Sequence, residues 1–277
     1  MNFIAIQGEK GSYSEIAAKN YFGKKIKISA SYSFKEVFDK VKKRKVSFGL
    51  IPIENSIYGS ILDSFDLLQK NSIKIVGEIN LQISHYLLSN KKYKLTQIKN
   101  IYSHPQALAQ CSCLLNSLKK IKIVPSYDTA GSAKKLKLEK EDNAAVIASK
   151  ESAKIYGLKI IKPKIQNNKK NFTRFLVIAN KPQISKIKNP KSSISIELKS
   201  IPGALFKTLS VFALRDIDLV KIESRPLPDK PFQYLFYIDF IGNLKDLKIK
   251  QAINHLKEVS TNIKLYGSYE FGKFITN

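Results

Sequence analysis

The sequence is poor in cysteine, poor in arginine and without a long apolar run. Its two cysteines, Cys111 and Cys113, lie two apart in a stretch that reads as helix. Residues at that spacing point to different faces, so a disulfide between them is not expected. A reduced, cytoplasmic setting fits that usage. Phe3-Ile4-Ala5-Ile6 turns polar at once, at Gln7-Gly8-Glu9-Lys10, and has no basic region before it, so no export signal is read there. No stretch is long and apolar enough to span a membrane. No His/Cys/Asp cluster has metal-ligand spacing.

Charge is one-sided, with a formal net charge of +26. Yet the only arginines are Arg44, Arg174, Arg215 and Arg225. Arginine is the residue of base and phosphate forks, and the lysines here are scattered over every segment. The excess therefore reads as a bias toward Lys, Asn and Ile rather than a nucleic-acid footprint. The field still draws small anions. The length of 277 residues allows one or two domains with ample core.

In chain order, Phe3-Ile4-Ala5-Ile6 reads as a buried strand and Gly8-Glu9-Lys10-Gly11 as a turn. Ser12 and Glu15 form a capping-box pattern that opens a helix to about Tyr21, closed by Gly23. Free N–H groups at such a helix start can hold an anion. Ser33 and Glu36 repeat the pattern. Phe48 to Ile53 is a strand that Pro52 marks as an edge or an end. Glu54 and Asn55 then stand at a strand's carboxyl end, where open α/β sheets bind ligands.

Alternation over Ile79, Leu81 and Ile83 predicts a half-buried strand continuing to Leu88, with His85 as a structural, hydrogen-bonded histidine. A strand ending at Tyr102 leads into Ser103-His104-Pro105-Gln106. Pro105 suits a first helical turn, and Gln106 and Gln110 share one helix face. Ser103 offers a hydroxyl to a ligand or a simple cap. Further βα alternation runs through Ile121 to Val124, Thr129, Ala144 to Ile147 and Ser149 to Tyr156.

Asn171-Phe172-Thr173-Arg174-Phe175 then forms a polar tip before the apolar Leu176-Val177-Ile178. An amide, a hydroxyl and a fixed cation together suit a small carboxylate substrate. Residues 181–192 lack an apolar period and read as a linker. After them the order is strand, helix, strand, strand, helix, strand, a ferredoxin-like βαββαβ unit over 193–277. Alone, that unit reads as a packing or dimerisation module.

Taken together, the segments Gly11-Ser12-Tyr13-Ser14, Ile51-Pro52-Ile53-Glu54-Asn55-Ser56, Ser103-His104-Pro105-Gln106-Ala107-Leu108-Ala109-Gln110-Cys111, Ala144 to Ser149, Tyr156-Gly157-Leu158 and Asn171 to Phe175 resemble prephenate dehydratase. Pro202-Gly203-Ala204-Leu205 and Glu223-Ser224-Arg225-Pro226 resemble the regulatory ACT domain that follows it in that family. The resemblance covers nearly the whole chain. No chorismate mutase bundle precedes the first strand, which points to the single-activity form.

The resemblance implies an α/β fold: a two-lobed catalytic region like periplasmic binding proteins over 1–180, with its site in the cleft, then the linker and the ACT domain. The strand after Thr173 belongs to its first lobe. The implied reaction converts prephenate to phenylpyruvate and requires no metal or other cofactor. Thr173 is the candidate donor to the leaving hydroxyl, with Asn55, Ser103 and Gln110 beside it. Ser12, Glu54, Thr129, Arg174 and Phe175 are candidate substrate contacts, although Arg174 could equally brace its strand.

In the tail, Gly203, Ala204, Leu205, Glu223, Ser224 and Arg225 are the candidate contacts for an L-phenylalanine effector. Arg225 could instead brace a dimer. Such units pair side by side, giving a homodimer or tetramer. Three departures stand out: Asn167 for a frequent aspartate and Asp128 for a common serine, both expected on the cleft rim, and Asp216-Ile217-Asp218 for Gly-Ile-Asn beside the regulatory loop. The rival substrate is arogenate, and no residue in the sequence decides between the two. Two further classes of protein stay open, a non-catalytic solute-binding protein and a pure amino-acid sensor. The first would share the cleft, and the second would have no use for the Thr173 and Ser103 motifs.

Overall fold

The computed structural model describes residues 3–118, 120–182, 186–227 and 230–276. The chain opens with β1 (Phe3–Gln7), α1 (Tyr13–Phe22), β2 (Lys27–Ser31), α2 (Phe34–Lys42), β3 (Phe48–Asn55), β4 (Gly59–Ser60), α3 (Leu62–Lys70) and β5 (Lys74–Gln82). It continues with β6 (Tyr86–Ser89), β7 (Asn100–Ser103), α4 (Pro105–Gln110), α5 (Ser112–Ser117), β8 (Lys122–Pro125), α6 (Thr129–Glu139), β9 (Ala144–Ala148), α7 (Lys150–Tyr156), β10 (Lys159–Lys162) and β11 (Phe172–Ala179). The tail is β12 (Pro190–Leu198), α8 (Ala204–Ala213), β13 (Leu219–Leu227), β14 (Lys230–Ile241), α9 (Leu247–Val259), β15 (Ser260–Glu270) and β16 (Lys273–Ile275).

Contacts divide the chain into two compact units interleaved in sequence. The first holds residues up to 64, 79–175 and those from 274; the second holds 65–78 and 176–273. β12 begins at Pro190, inside the stretch expected to be linker, because Lys191 and Ser192 already pair with β14. Residues 183–185 of that stretch lie outside the described residues.

Two α/β layers make up the first unit. In one, β1 pairs in parallel with both β2 and β3, within the order β16-β5-β11-β3-β1-β2. In the other, of order β10-β6-β9-β7-β8, β7 runs parallel to β8 and β9. Apolar clusters fill both faces of this second sheet, around Leu87, Ile101 and Ile147 on one side and Leu88, Val146 and Leu136 on the other. Both predicted helix caps form: Ser12 Oγ accepts from Glu15 N and Ser33 Oγ from Glu36 N. The glutamates reach one residue further back than the box pattern expects. Glu15 accepts from Gly11 N, and Glu36 from Tyr32 N.

Two strand readings change. The single strand expected from Ile79 to Leu88 is broken between β5 and β6. There Ile83 N donates to Asn171 O and His85 N to Gln166 Oε1, so their backbone groups leave the ladder. β5 is also buried on both faces, with Glu78 and Asn80 inside. Pro52, read as marking an edge or end, lies in an internal strand. β4, β10 and β16 are too short for a period to show.

The second unit contains the expected βαββαβ fold, with antiparallel order β13-β14-β12-β15. One face of this sheet packs on α8 and α9 through Ile194, Ile196, Phe212, Ile238, Phe240 and Leu256. Residues 65–78 bind polar groups elsewhere in the unit. Tyr237 Oη donates to Phe65 O at 2.6 Å, and Lys264 Nζ donates to the carbonyls of Leu68, Gln69 and Asn71. Lys191 and Glu78 form a buried ion pair at 2.8 Å. Asp216 has φ 47°, the left-handed region that glycine adopts without strain and that Asp tolerates better than most.

Candidate functional site

The first unit carries a cleft of about 400 Å³. One wall comes from the first sheet and its helices: Ser12, Tyr13 and Ser14 at the start of α1, Asn55 at the end of β3, and Thr173 and Phe175 on β11. The opposite wall comes from the second layer: His104, Gln106, Ala107 and Gln110 on or just before α4, and Tyr127, Asp128 and Thr129 at the start of α6. Ile83 and His85, in the break between β5 and β6, also line it. Strand ends and helix starts converge because parallel βα units place them on one side of a sheet.

Asn55 fixes the first wall. Its Oδ1 accepts from Ile57 N and Tyr58 N, both at 3.0 Å, which sets the amide orientation. Its Nδ2 then donates to Asn171 Oδ1 at 2.7 Å, Phe172 O at 3.2 Å and Thr173 Oγ1 at 3.0 Å. Thr173 Oγ1 is therefore an acceptor toward Asn55 and retains its own O–H to donate to a ligand. Asn55 and Thr173 are both buried, which strengthens such a bond.

The second wall is tied to the first through His85. Its Nδ1 lies 2.9 Å from Tyr13 Oη and its Nε2 lies 2.6 Å from Gln110 Oε1. Burial pushes the His85 pKa down to about 4, so the ring is neutral at physiological pH. Gln110 Oε1 can only accept, which places the single ring proton on Nε2 and leaves Nδ1 as an acceptor. The Tyr13 O–H donates to Ser84 O at 2.8 Å and is shared with Nδ1, and burial holds the Tyr13 pKa well above the ordinary value. With Oε1 spent on His85, Gln110 offers its Nε2 hydrogens as donors.

Asp128 caps α6, its carboxylate accepting from Ala130 N at 3.3 Å and Gly131 N at 3.2 Å. It also accepts from Glu9 N at 3.0 Å, joining the two walls. Burial lowers the His104 pKa, opposed by the Asp128 charge.

Of the sequence-predicted residues, Ser12, Asn55, Gln110, Thr129, Thr173 and Phe175 meet in this cleft. Ser103 does not line it: the side chain is fully buried and its Oγ donates to Ile147 O at 2.6 Å, bracing β7 against β9. Glu54 and Arg174 are also absent from the lining and lie 3.8 Å apart. Strand alternation explains this, since Thr173 and Phe175 face the cleft and Arg174 between them cannot. Thr173 is within β11 and buried, rather than on an accessible tip. Asn167 bonds Cys113 N and Ser112 Oγ at the start of α5, away from the cleft rim where it was expected.

Sequence reasoning missed Tyr13 and His104 and gave His85 no place in the site. His85 carries no period of its own; its signal was a histidine at the end of an alternating run. Cys111 is buried, with its pKa pushed up to about 12 by burial, and Cys113 is exposed; neither is paired. Among the described residues, no three His, Cys, Asp or Glu side chains are grouped to hold a metal ion.

The second unit has a separate pocket of about 510 Å³ where α8 begins, lined by Gly203, Ala204, Leu205 and Phe206 with Phe232 and Tyr234. Gly203 has φ 73° and caps the helix. Glu223, Ser224 and Arg225 do not line this pocket. The Arg225 guanidinium forks onto Asp66, Nε to Oδ1 at 3.0 Å and Nη2 to Oδ2 at 2.7 Å. Glu223 lies 3.4 Å from Lys221. Asp216, expected beside the regulatory loop, is not among the lining residues; its carbonyl accepts from Lys248 Nζ.

A two-lobed α/β region with a polar cleft, followed by a ferredoxin-like tail with its own pocket, has the architecture of a small-molecule-binding α/β protein. Residues 4–183 match the prephenate dehydratase family, and the chain belongs to that family of lyases. It is 41% identical over 278 residues to arogenate dehydratase/prephenate dehydratase 2, chloroplastic, of Arabidopsis thaliana, spanning 96% of this chain and 72% of that protein. A prephenate dehydratase from Arthrobacter aurescens, solved in complex with L-Phe, superposes with a TM-score of 0.89 at 26% identity, covering 97% of this chain and 90% of that one. GqqA, described as a novel type of quorum quenching acylase, superposes with a TM-score of 0.87 at 25% identity, covering 96% of this chain and 97% of that one.

Proposed function

We propose that the cleft of the first unit carries out the decarboxylating dehydration of prephenate to phenylpyruvate, with Thr173 as the key donor. The ring C–C bond to the carboxylate breaks and its electron pair enters the ring. The C–O bond breaks at the same time, and hydroxide leaves with its pair and takes up one proton to become water. Aromatisation drives the reaction, so the protein need only orient the substrate and stabilise the leaving oxygen. The observation that carries this reading is the Asn55–Thr173 bond at 3.0 Å, which uses the Thr173 oxygen as acceptor and keeps its O–H for the departing hydroxyl. Gln110, held by His85, supplies amide hydrogens to a substrate carboxylate.

Acyl hydrolysis, the activity named for GqqA, finds less support here. It needs a hydroxyl activated by a base, and the Ser12 hydroxyl caps α1 while that of Thr173 accepts from an amide. The pocket at Gly203 to Phe206 is the seat of an L-phenylalanine effector, supported by its aromatic lining and by the phenylalanine complex of the Arthrobacter aurescens protein. Val220 and Ile222, exposed on the edge strand β13, support side-by-side pairing of two tails in a homo-oligomer. The free thiols Cys111 and Cys113 fit a reduced, cytoplasmic compartment; no helix among the described residues is long and apolar enough to cross a membrane. The test is direct: purified, chelator-treated protein should form phenylpyruvate from prephenate, read by its absorbance. No product at any phenylalanine concentration would refute the reading.

A further inference from the structure

Prephenate carries two carboxylates, one on the ring and one on the side chain. Among the described lining residues of the cleft there is no lysine or arginine, although the chain as a whole carries a charge of +26. Neutral donors must therefore meet both carboxylates, and the buried Gln110 amide serves one of them. A second donor stands at an exposed edge of the cleft. Gln7, at the end of β1, and Tyr127, just before α6, line opposite walls. Gln7 Nε2 donates to Tyr127 Oη at 3.2 Å, a bond that crosses from one wall to the other. The Tyr127 oxygen is the acceptor in that bond, so the phenol keeps its O–H to donate to a ligand. Asn55 and Thr173 are arranged in the same sense.

The backbone on either side of Tyr127 is fixed. Ser126 N donates to Ser103 O at 2.9 Å, and the Asp128 carboxylate accepts from Ala130 N, Gly131 N and Glu9 N. The Tyr127 side chain is freer: it is 57% exposed and lines both the cleft and a neighbouring pocket of about 620 Å³. With space on both sides of the ring, the Gln7 bond sets where the O–H points. We infer that Tyr127 is a further substrate-binding residue, donating to the side-chain carboxylate of prephenate, and that Gln7 is the positioning residue that aims it. This rests on the proposed dehydratase reading of the cleft. Charge flow selects the carboxylate. The ring carboxylate gives up its charge as carbon dioxide leaves, so a donor held on it would stabilise the ground state and slow the reaction. The side-chain carboxylate keeps its charge throughout. A donor there binds ground and transition states equally and acts on KM rather than kcat.

The experiment measures initial-rate kinetics on prephenate for the full chain, for Tyr127→Phe, for Gln7→Leu and for the double variant, with thermal midpoints to show that each is folded. Tyr127→Phe keeps the ring and removes only the hydroxyl. It should raise KM about 10-fold, the low end of the range for a hydrogen bond to a charged group, and change kcat by less than about twofold. Gln7→Leu should raise KM about 2- to 10-fold, the range for one neutral hydrogen bond. Because Gln7 acts through Tyr127, adding Gln7→Leu to Tyr127→Phe should change KM no further. An unchanged KM in folded Tyr127→Phe, or a raised kcat, would overturn the inference and leave the dehydratase reading intact. So would effects of the two substitutions that multiply, since Gln7 would then act on its own. No phenylpyruvate from the wild-type protein would overturn both.

Discussion

Acidification should destabilise the first unit through His85, by an amount that its surroundings set. In the fold its pKa is about 4, against an ordinary value of 6.5, because the ring is buried between Tyr13 and Gln110. A depressed histidine pKa means that the folded state prefers the neutral ring. The contribution is fully present above about pH 6.5, where both states are neutral. It is lost as the pH falls from there toward 4, since the unfolded chain takes up the proton first. That difference corresponds to about 3 kcal/mol, of which about 2 kcal/mol is gone by about pH 5.

Urea unfolding of the wild-type protein and of His85→Asn, from about pH 8 to pH 5, isolates this term from the carboxylates that titrate nearby. The variant should be less stable at pH 8 but lose about 2 kcal/mol less on acidification. The chain has only three histidines, so nitrogen NMR can also identify the ring tautomer. Parallel stability profiles, or a proton on Nδ1 at neutral pH, would refute the reasoning.

Three further substitutions separate structure from chemistry. Gly11→Ala should destabilise by at least about 1–2 kcal/mol, since φ is +86° and the added Cβ would lie 2.9 Å from Ser152 Cα; a drop in thermal midpoint reads this. Ser103→Ala should cost about 1 kcal/mol of stability for its lost bond to Ile147 O while leaving kcat/KM nearly unchanged, because the hydroxyl lies outside the cleft. Gly203→Asn keeps a residue that tolerates a left-handed φ, and nothing lies within 4 Å of the new Cβ. The protein should fold and stay active but lose phenylalanine inhibition, followed by titrating L-phenylalanine against rate.

The fold was legible where pattern and chemistry agreed. Ser12 and Ser33 cap helices as their sequence contexts indicate, and α9 runs from Leu247 to Val259 as the helical stretch there reads. The βαββαβ tail followed from periodicity alone. The misreadings share a cause: local sequence does not reveal what a third segment supplies. Alternation around Ile79 to Ser84 looked half-buried, yet Lys191 neutralises Glu78 from far along the chain. Ser103, Arg174 and Arg225 are candidate ligand contacts by residue type, and the two arginines read equally as braces. The contacts that the fold gives them, with Ile147 O, Glu54 and Asp66, are visible only once the strands are paired. Asn55 lines the cleft at the strand end where it was expected and Thr173 lines it from inside β11, whereas His85 lines it through a break in a strand that periodicity had run straight through.

Kinetics of Thr173 variants on prephenate test the central claim most directly. The account assigns its hydroxyl to the leaving group in the transition state, with Asn55 holding the oxygen. Thr173→Ala should lower kcat by roughly 10²–10³, about 2.7–4 kcal/mol, with a much smaller change in KM, and Thr173→Ser should recover part of the rate. A folded Thr173→Ala protein with wild-type kcat would contradict it.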